Sequence, residues 1–193
     1  MKVTLLMKKL CFIFLIHSFL GAQVNNLSCE NFNLLENVNY KCGSIDVPYD
    51  HFQESQKTIN ISFVLIDKKK SKEIPLAILT GGPGGSAITQ SRVNYWLGSP
   101  LSDNRYVIIF DQRGIGFSSK LKNINNEFFS IFRKNLNFSM EKIEVEKLLL
   151  SYVNNANNQG IDLSLYNTFQ SAVDLDLIMQ NLNINKYNLY GSS

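Results

Sequence analysis

The clearest pattern along the chain is the alternation over Thr58 to Ile66. Ile59, Ile61, Phe63 and Leu65 fall on one side and Asn60, Ser62 and Val64 on the other, which predicts a strand with one buried face. Two runs are apolar without alternation, Ile74 to Thr80 and Tyr106 to Phe110, as expected of central strands covered on both sides. A shorter run, Tyr187 to Tyr190, predicts a last strand, and Ile45-Asp46-Val47-Pro48-Tyr49-Asp50 reads as a short strand interrupted by proline. Asn31 to Cys42 is polar and irregular, and Lys68-Lys69-Lys70-Ser71-Lys72 reads as a solvated turn.

Helical spacing appears in four windows. Ser86 to Trp96 opens on Ser86 as N-cap and ends before Gly98-Ser99-Pro100. Glu127 to Arg133 and Met140 to Asn154 follow, the second with Ser139 as N-cap. In Thr168 to Leu182, Phe169, Ala172, Val173, Leu175, Ile178, Met179 and Leu182 keep a helical period. Strands alternating with helices, with glycine-containing loops after the apolar strands, predict an α/β fold with a mostly parallel sheet. An active site on such a sheet lies beyond the carboxyl ends of its strands, where the glycine motifs fall.

The 193 residues suffice for one domain with a core, and 45% hydrophobic with 18% charged residues is a globular composition. Residues 1–22 read differently. Lys2, Lys8 and Lys9 precede an apolar stretch from Leu10 to Leu20, and Gly21-Ala22 offers small residues for cleavage, the pattern of a secretory signal peptide. The stretch is short of the roughly 20 apolar residues of a spanning helix. The mature domain is then 23–193, and the protein is expected to be exported to a periplasmic or extracellular space. Removing those three lysines takes the formal charge from +3 to zero, so nothing suggests nucleic acid or an anionic membrane as partner. Cys11 lies in the apolar stretch. Cys29 and Cys42 remain, an even pair close in sequence, which in an exported chain suggests a disulfide worth about 3 kcal/mol; two free buried thiols are the alternative.

Two glycine-rich stretches carry chemistry. Asn188-Leu189-Tyr190-Gly191-Ser192-Ser193 is the first half of a G-x-S-x-G elbow, which would make Ser193 a nucleophile; alone, such a sequence is more readily a simple turn. Gly81-Gly82-Pro83-Gly84-Gly85-Ser86 could cradle a phosphate, but it lacks the Lys-Ser/Thr ending of a phosphate loop. Its place after a buried strand suits an oxyanion loop.

Together with Asp111-Gln112-Arg113-Gly114-Ile115-Gly116-Phe117-Ser118, these motifs make the sequence resemble the α/β-hydrolase family of proline iminopeptidases and tripeptidyl aminopeptidases. Cys42-Gly43, Val47-Pro48-Tyr49-Asp50, Tyr166-Asn167-Thr168 and Asp174-Leu175 resemble the secreted tripeptidyl aminopeptidase branch. The resemblance implies a serine aminopeptidase acting on peptides through an acyl-enzyme, without cofactor or metal. It implies Ser193 as nucleophile and an oxyanion N–H from Gly82, with Gly81 beside it. Asp111 and Arg113 are implied to brace the site by pairing with each other. Thr80 stands where the family often has histidine.

In this fold the triad acid and base follow the serine, and no residue of the sequence follows Ser193. The sequence therefore reads as the N-terminal part of an α/β-hydrolase domain, incomplete at its C-terminus and expected to be inactive alone. His51, the one histidine after residue 22, reads as an exposed loop residue. The alternatives are a catalytically dead remnant acting as a binding module, and an esterase on the same fold.

Overall fold

A computed structural model describes residues 23–54, 56–68, 72–81 and 84–192. Residues 1–22, read above as a signal peptide, lie outside the described residues, as do Gly82 and Ser193. The strands are β1 (Val24–Leu27), β2 (Tyr40–Pro48), β3 (Thr58–Ile66), β4 (Leu76–Thr80), β5 (Val107–Phe110) and β6 (Asn188–Ser192). The α-helices are α1 (Gln90–Gly98), α2 (Asn125–Phe132), α3 (Phe138–Asn158) and α4 (Thr168–Asn181).

The sheet runs in the order β1-β2-β3-β5-β4-β6. Its first half is antiparallel, because hairpin-like connections join β1, β2 and β3, and β3 also meets β5 antiparallel. Its second half is parallel: β4 pairs with β5 on one side and with β6 on the other. The chain passes from β4 through α1 to β5, then back over β4 through α4 to β6. Crossovers of one hand that travel in opposite directions put their helices on opposite faces. The core divides accordingly. Val93 and Trp96 of α1 pack with Val64, Leu76, Ile78 and Ile109 on one face. Leu175, Ile178 and Met179 of α4 pack with Ile61, Phe63, Ala77 and Ile108 on the other.

Several expectations shift. β3 is buried on both faces, not one, since Val64 and Ile66 enter the first core while Ile61 and Phe63 enter the second. The strand lies inside the sheet between β2 and β5, and the polar Ser62 is satisfied by Ser118 and the Phe117 carbonyl. The proline-interrupted strand is the end of a nine-residue one, with Pro48 as its last residue. Thr89, not Ser86, caps α1, and Asn137, not Ser139, caps α3. Phe169 on α4 is exposed, while Gln170 and Asp174 of the same helix are buried.

Cys29 and Cys42 form a disulfide that ties the turn after β1 to β2, with Cα atoms 5.2 Å apart, inside the core on the α1 face. Such a bond fits an oxidising compartment. Cys42→Ser is expected to lower the unfolding free energy by about 3 kcal/mol, from the unfolded-chain entropy that the closed loop removes. Urea midpoints of the two proteins under oxidising buffer measure it, and equal midpoints would count against the bond.

Candidate active site

The parallel register of β4 and β6 sets Thr80 opposite Ser192, so the two strands end side by side. Past the last rung, the Gly81 amide donates to the Ser192 carbonyl at 2.7 Å. The glycine loop thus starts alongside the end of the strand that leads to Ser193. Leu79, Thr80, Gly81, Gly191 and Ser192 line a cavity of about 310 Å³ there. A side chain at Gly191 would meet no atom within 4 Å, so this end of the sheet is open on that side. Of the two oxyanion candidates, Gly81 has its N–H bonded to the Ser192 carbonyl, and Gly82 lies outside the described residues.

What fixes the far end of that loop is Asp111, at the carboxyl end of β5. Its buried carboxylate accepts the Ser86 hydroxyl, the Ala87 and Ile88 amides at 2.6 and 3.2 Å, and the Phe117 amide at 2.8 Å. Ser86 is therefore a link between loops rather than a helix cap. Arg92 of α1 donates to the Ser86 carbonyl and holds the same loop from the helix side. Gly116 is required here: it has φ +58°, and a Cβ on it would lie 1.9 Å from Asp111 Oδ2.

Arg113 and Asp111 do not pair with each other. Arg113 is buried against Asp174 of α4, with Nε and Nη2 each donating to one carboxylate oxygen at 2.7 Å. Nη1 donates to the carbonyls of Tyr49 and Leu165, and Nη2 also to that of Pro48. All five guanidinium N–H bonds thus have acceptors. The second side-chain partner of Asp174 is His51, whose Nε2 lies 2.6 Å from Asp174 Oδ1. The His51 side chain is only 4% exposed, so it is not a loop histidine in solvent. Its backbone amide donates to Gln170, whose side-chain amide donates to Asp50. A hydrogen-bond network built on the Arg113–Asp174 ion pair therefore ties the segment after β2, the loop after β5 and α4 together.

Asp174, Gln170 and His51 were not read from the sequence as a unit. The signal was present on α4, where Gln170, Asp174 and Ile178 recur every fourth residue. Two polar residues share a stripe with a core isoleucine, which calls for buried partners elsewhere.

A larger cleft of about 770 Å³ is lined by Gly84 and Ser86, the 114–125 segment and α3. Burial raises the pKa of Tyr152 on its α3 wall, which keeps the phenol protonated. Burial, with the neighbouring Tyr49, likewise pushes Tyr166 up to about 12. Its ring lies over Gly114. Among the described residues no group of three or more His, Cys, Asp or Glu is placed to hold a metal, and no helix is long and apolar enough to cross a membrane.

The chemistry available is that of a strand end with a glycine loop beside it and two buried carboxylates that fix the surrounding loops. Compared with curated proteins, the chain matches none of them. The family model described as alpha/beta hydrolase fold matches residues 74–193, more than half of the sequence and all of the parallel half of the sheet with its glycine loop. The chain belongs to the α/β-hydrolase fold family.

Proposed function

We propose that this chain carries the nucleophile and oxyanion loop of an exported serine hydrolase of the aminopeptidase type, which acts on peptides. Ser193 attacks the scissile carbonyl as its proton passes to a base. The oxyanion accepts the Gly82 N–H, the amine leaves with a proton, and water then releases the acyl group from the serine. The observation that carries the reading is the Gly81–Ser192 hydrogen bond, which brings the glycine loop to the end of the strand that leads to Ser193. The ordered motifs around Gly81, Asp111 and Gly191 support the peptidase class, and the disulfide with the basic–apolar N-terminus supports export.

The acid and base that this fold places after the nucleophile are not among these 193 residues. A protein that carries them after this segment is expected to label with a fluorophosphonate on Ser193 and to lose the label in Ser193→Ala. The 193-residue chain alone is expected not to label; stoichiometric labelling of that chain would contradict this. Aminoacyl- and tripeptidyl-arylamides offered beside arylesters test the substrate class. Cleavage of esters with no cleavage of amides would make the protein an esterase.

A further inference from the structure

Resting on the serine-hydrolase reading, we propose that the cleft between the 114–125 segment and α3 is the subsite for a carboxylate-bearing residue of the peptide, with Lys120 and Lys122 as its cationic wall. The cleft takes Gly84 and Ser86 of its lining from the same loop whose first residue, Gly81, lines the strand-end site. Its volume of about 770 Å³ is that of a ligand site rather than a surface wrinkle.

The lining is one-sided in charge. Lys120 and Lys122 stand on one wall, and among the described residues no Asp or Glu lines the cleft. Lys120 has no ion-pair partner among the described residues; Lys122 has a loose, exposed one in Glu127, at 3.9 Å. The backbone that presents Lys120 is held in place. Gly114 and Lys120 form an isolated bridge, with Gly114 N–H donating to the Ser119 carbonyl and Leu121 N–H to the Gly114 carbonyl. Ser119 and Ser118 in turn bond to β3. The lysine therefore projects from a loop already anchored to the sheet, so that its backbone needs little ordering to meet a ligand. Opposite stand Leu149 and Tyr152, whose hydroxyl makes no hydrogen bond among the described residues. The cleft thus offers two ammonium groups, a phenol donor and apolar surface, and lacks a carboxylate for a positively charged group. That set recognises a carboxylate next to an apolar body.

The carboxylate has two sources, an Asp or Glu side chain or the peptide's own C-terminus. The test uses the full-length protein carrying Ser193→Ala, so that binding is read without turnover, and fluorescently labelled peptides that differ only in Glu against Gln, each as C-terminal acid and amide. The peptide with the recognised carboxylate is expected to bind about fivefold tighter at low ionic strength, with the preference shrinking as salt is added. A Glu preference that persists in the amides assigns the side chain; a preference for acids over amides alone assigns the C-terminus. Lys120→Gln/Lys122→Gln is expected to abolish the preference. Lys120→Glu/Lys122→Glu is expected to invert it in favour of a Lys-containing peptide. Equal binding of all four peptides, or a preference that survives the charge reversal, overturns the subsite. Fluorophosphonate labelling of the protein with Ser193 intact is run in parallel. If it fails while the carboxylate preference holds, the hydrolase reading falls and the cleft stands; if it succeeds without a preference, the reverse is true.

Discussion

Arg113→Leu is expected to lower the free energy of unfolding by about 3–5 kcal/mol, the cost of leaving a buried carboxylate without its main partner. Asp174 is fully buried and accepts two N–H bonds from this one side chain. Three backbone carbonyls, of Pro48, Tyr49 and Leu165, lose their donors in the same step. His51 remains beside Asp174 but can replace one of the lost bonds, not five. For a domain whose whole stability is of order 5–15 kcal/mol, the loss leaves a marginal protein. Arg113→Lys is expected to recover little, because a single ammonium cannot reproduce the planar fork. The coupling is checked with Asp174→Leu and the double variant Arg113→Leu/Asp174→Leu. Removing both charges is expected to cost clearly less than the sum of the single changes, by denaturant midpoints at constant slope. If the single and double costs simply add, Asp174 does not depend on Arg113.

The second large effect is expected at Gly116. Gly116→Ala puts a methyl group where Asp111 Oδ2 now sits and imposes a side chain on a residue at φ +58°. The neighbour that must move is a buried carboxylate holding four groups on two loops, not the free end of a surface chain. A loss of about 3 kcal/mol or more is expected, combining backbone strain with overpacking. Gly84→Ala is the control. It too has positive φ, at +89°, but a Cβ there meets nothing within 4 Å among the described residues. Its cost is expected to be about 1–2 kcal/mol, the left-handed backbone alone. In a protein that carries the acid and base after this segment, Gly116→Ala is also expected to slow fluorophosphonate labelling, since Asp111 sets the end of the glycine loop proposed to hold the oxyanion. Similar stabilities for the two variants would remove Asp111 from that part.

What the sequence made legible, and what it hid, follows from the physics of each signal. The apolar runs of β4 and β5 announce themselves because a strand covered on both sides has no polar alternative. The glycine loop and the Asp111 motif are legible because a strained or crowded backbone narrows the choice of residue. The ion-pair network was hidden for the opposite reason. His51, Arg113 and Asp174 lie far apart in the chain, and a buried polar residue has the same letter as an exposed one. Burial is decided by partners that only the fold brings near. Alternation misled for β3 in the same way: Ser62 looked solvent-facing, yet it is buried with its hydroxyl bonded to the Phe117 carbonyl. For Asp111 and Arg113, proximity in sequence suggested a pair, whereas each is taken by a different element, the 86–88 segment and α4.

The pairing of β4 has a consequence for how the protein comes into being. Its partner on one side, β5, follows closely, but on the other side Leu76 waits for Asn188. A chain made N-terminus first at the usual rate of about 5–20 residues per second leaves that edge of β4 unpaired for roughly 6–20 seconds. During that time an apolar strand offers a row of free amides and carbonyls to any other chain. Nascent copies are then expected to be at their most prone to join edge to edge.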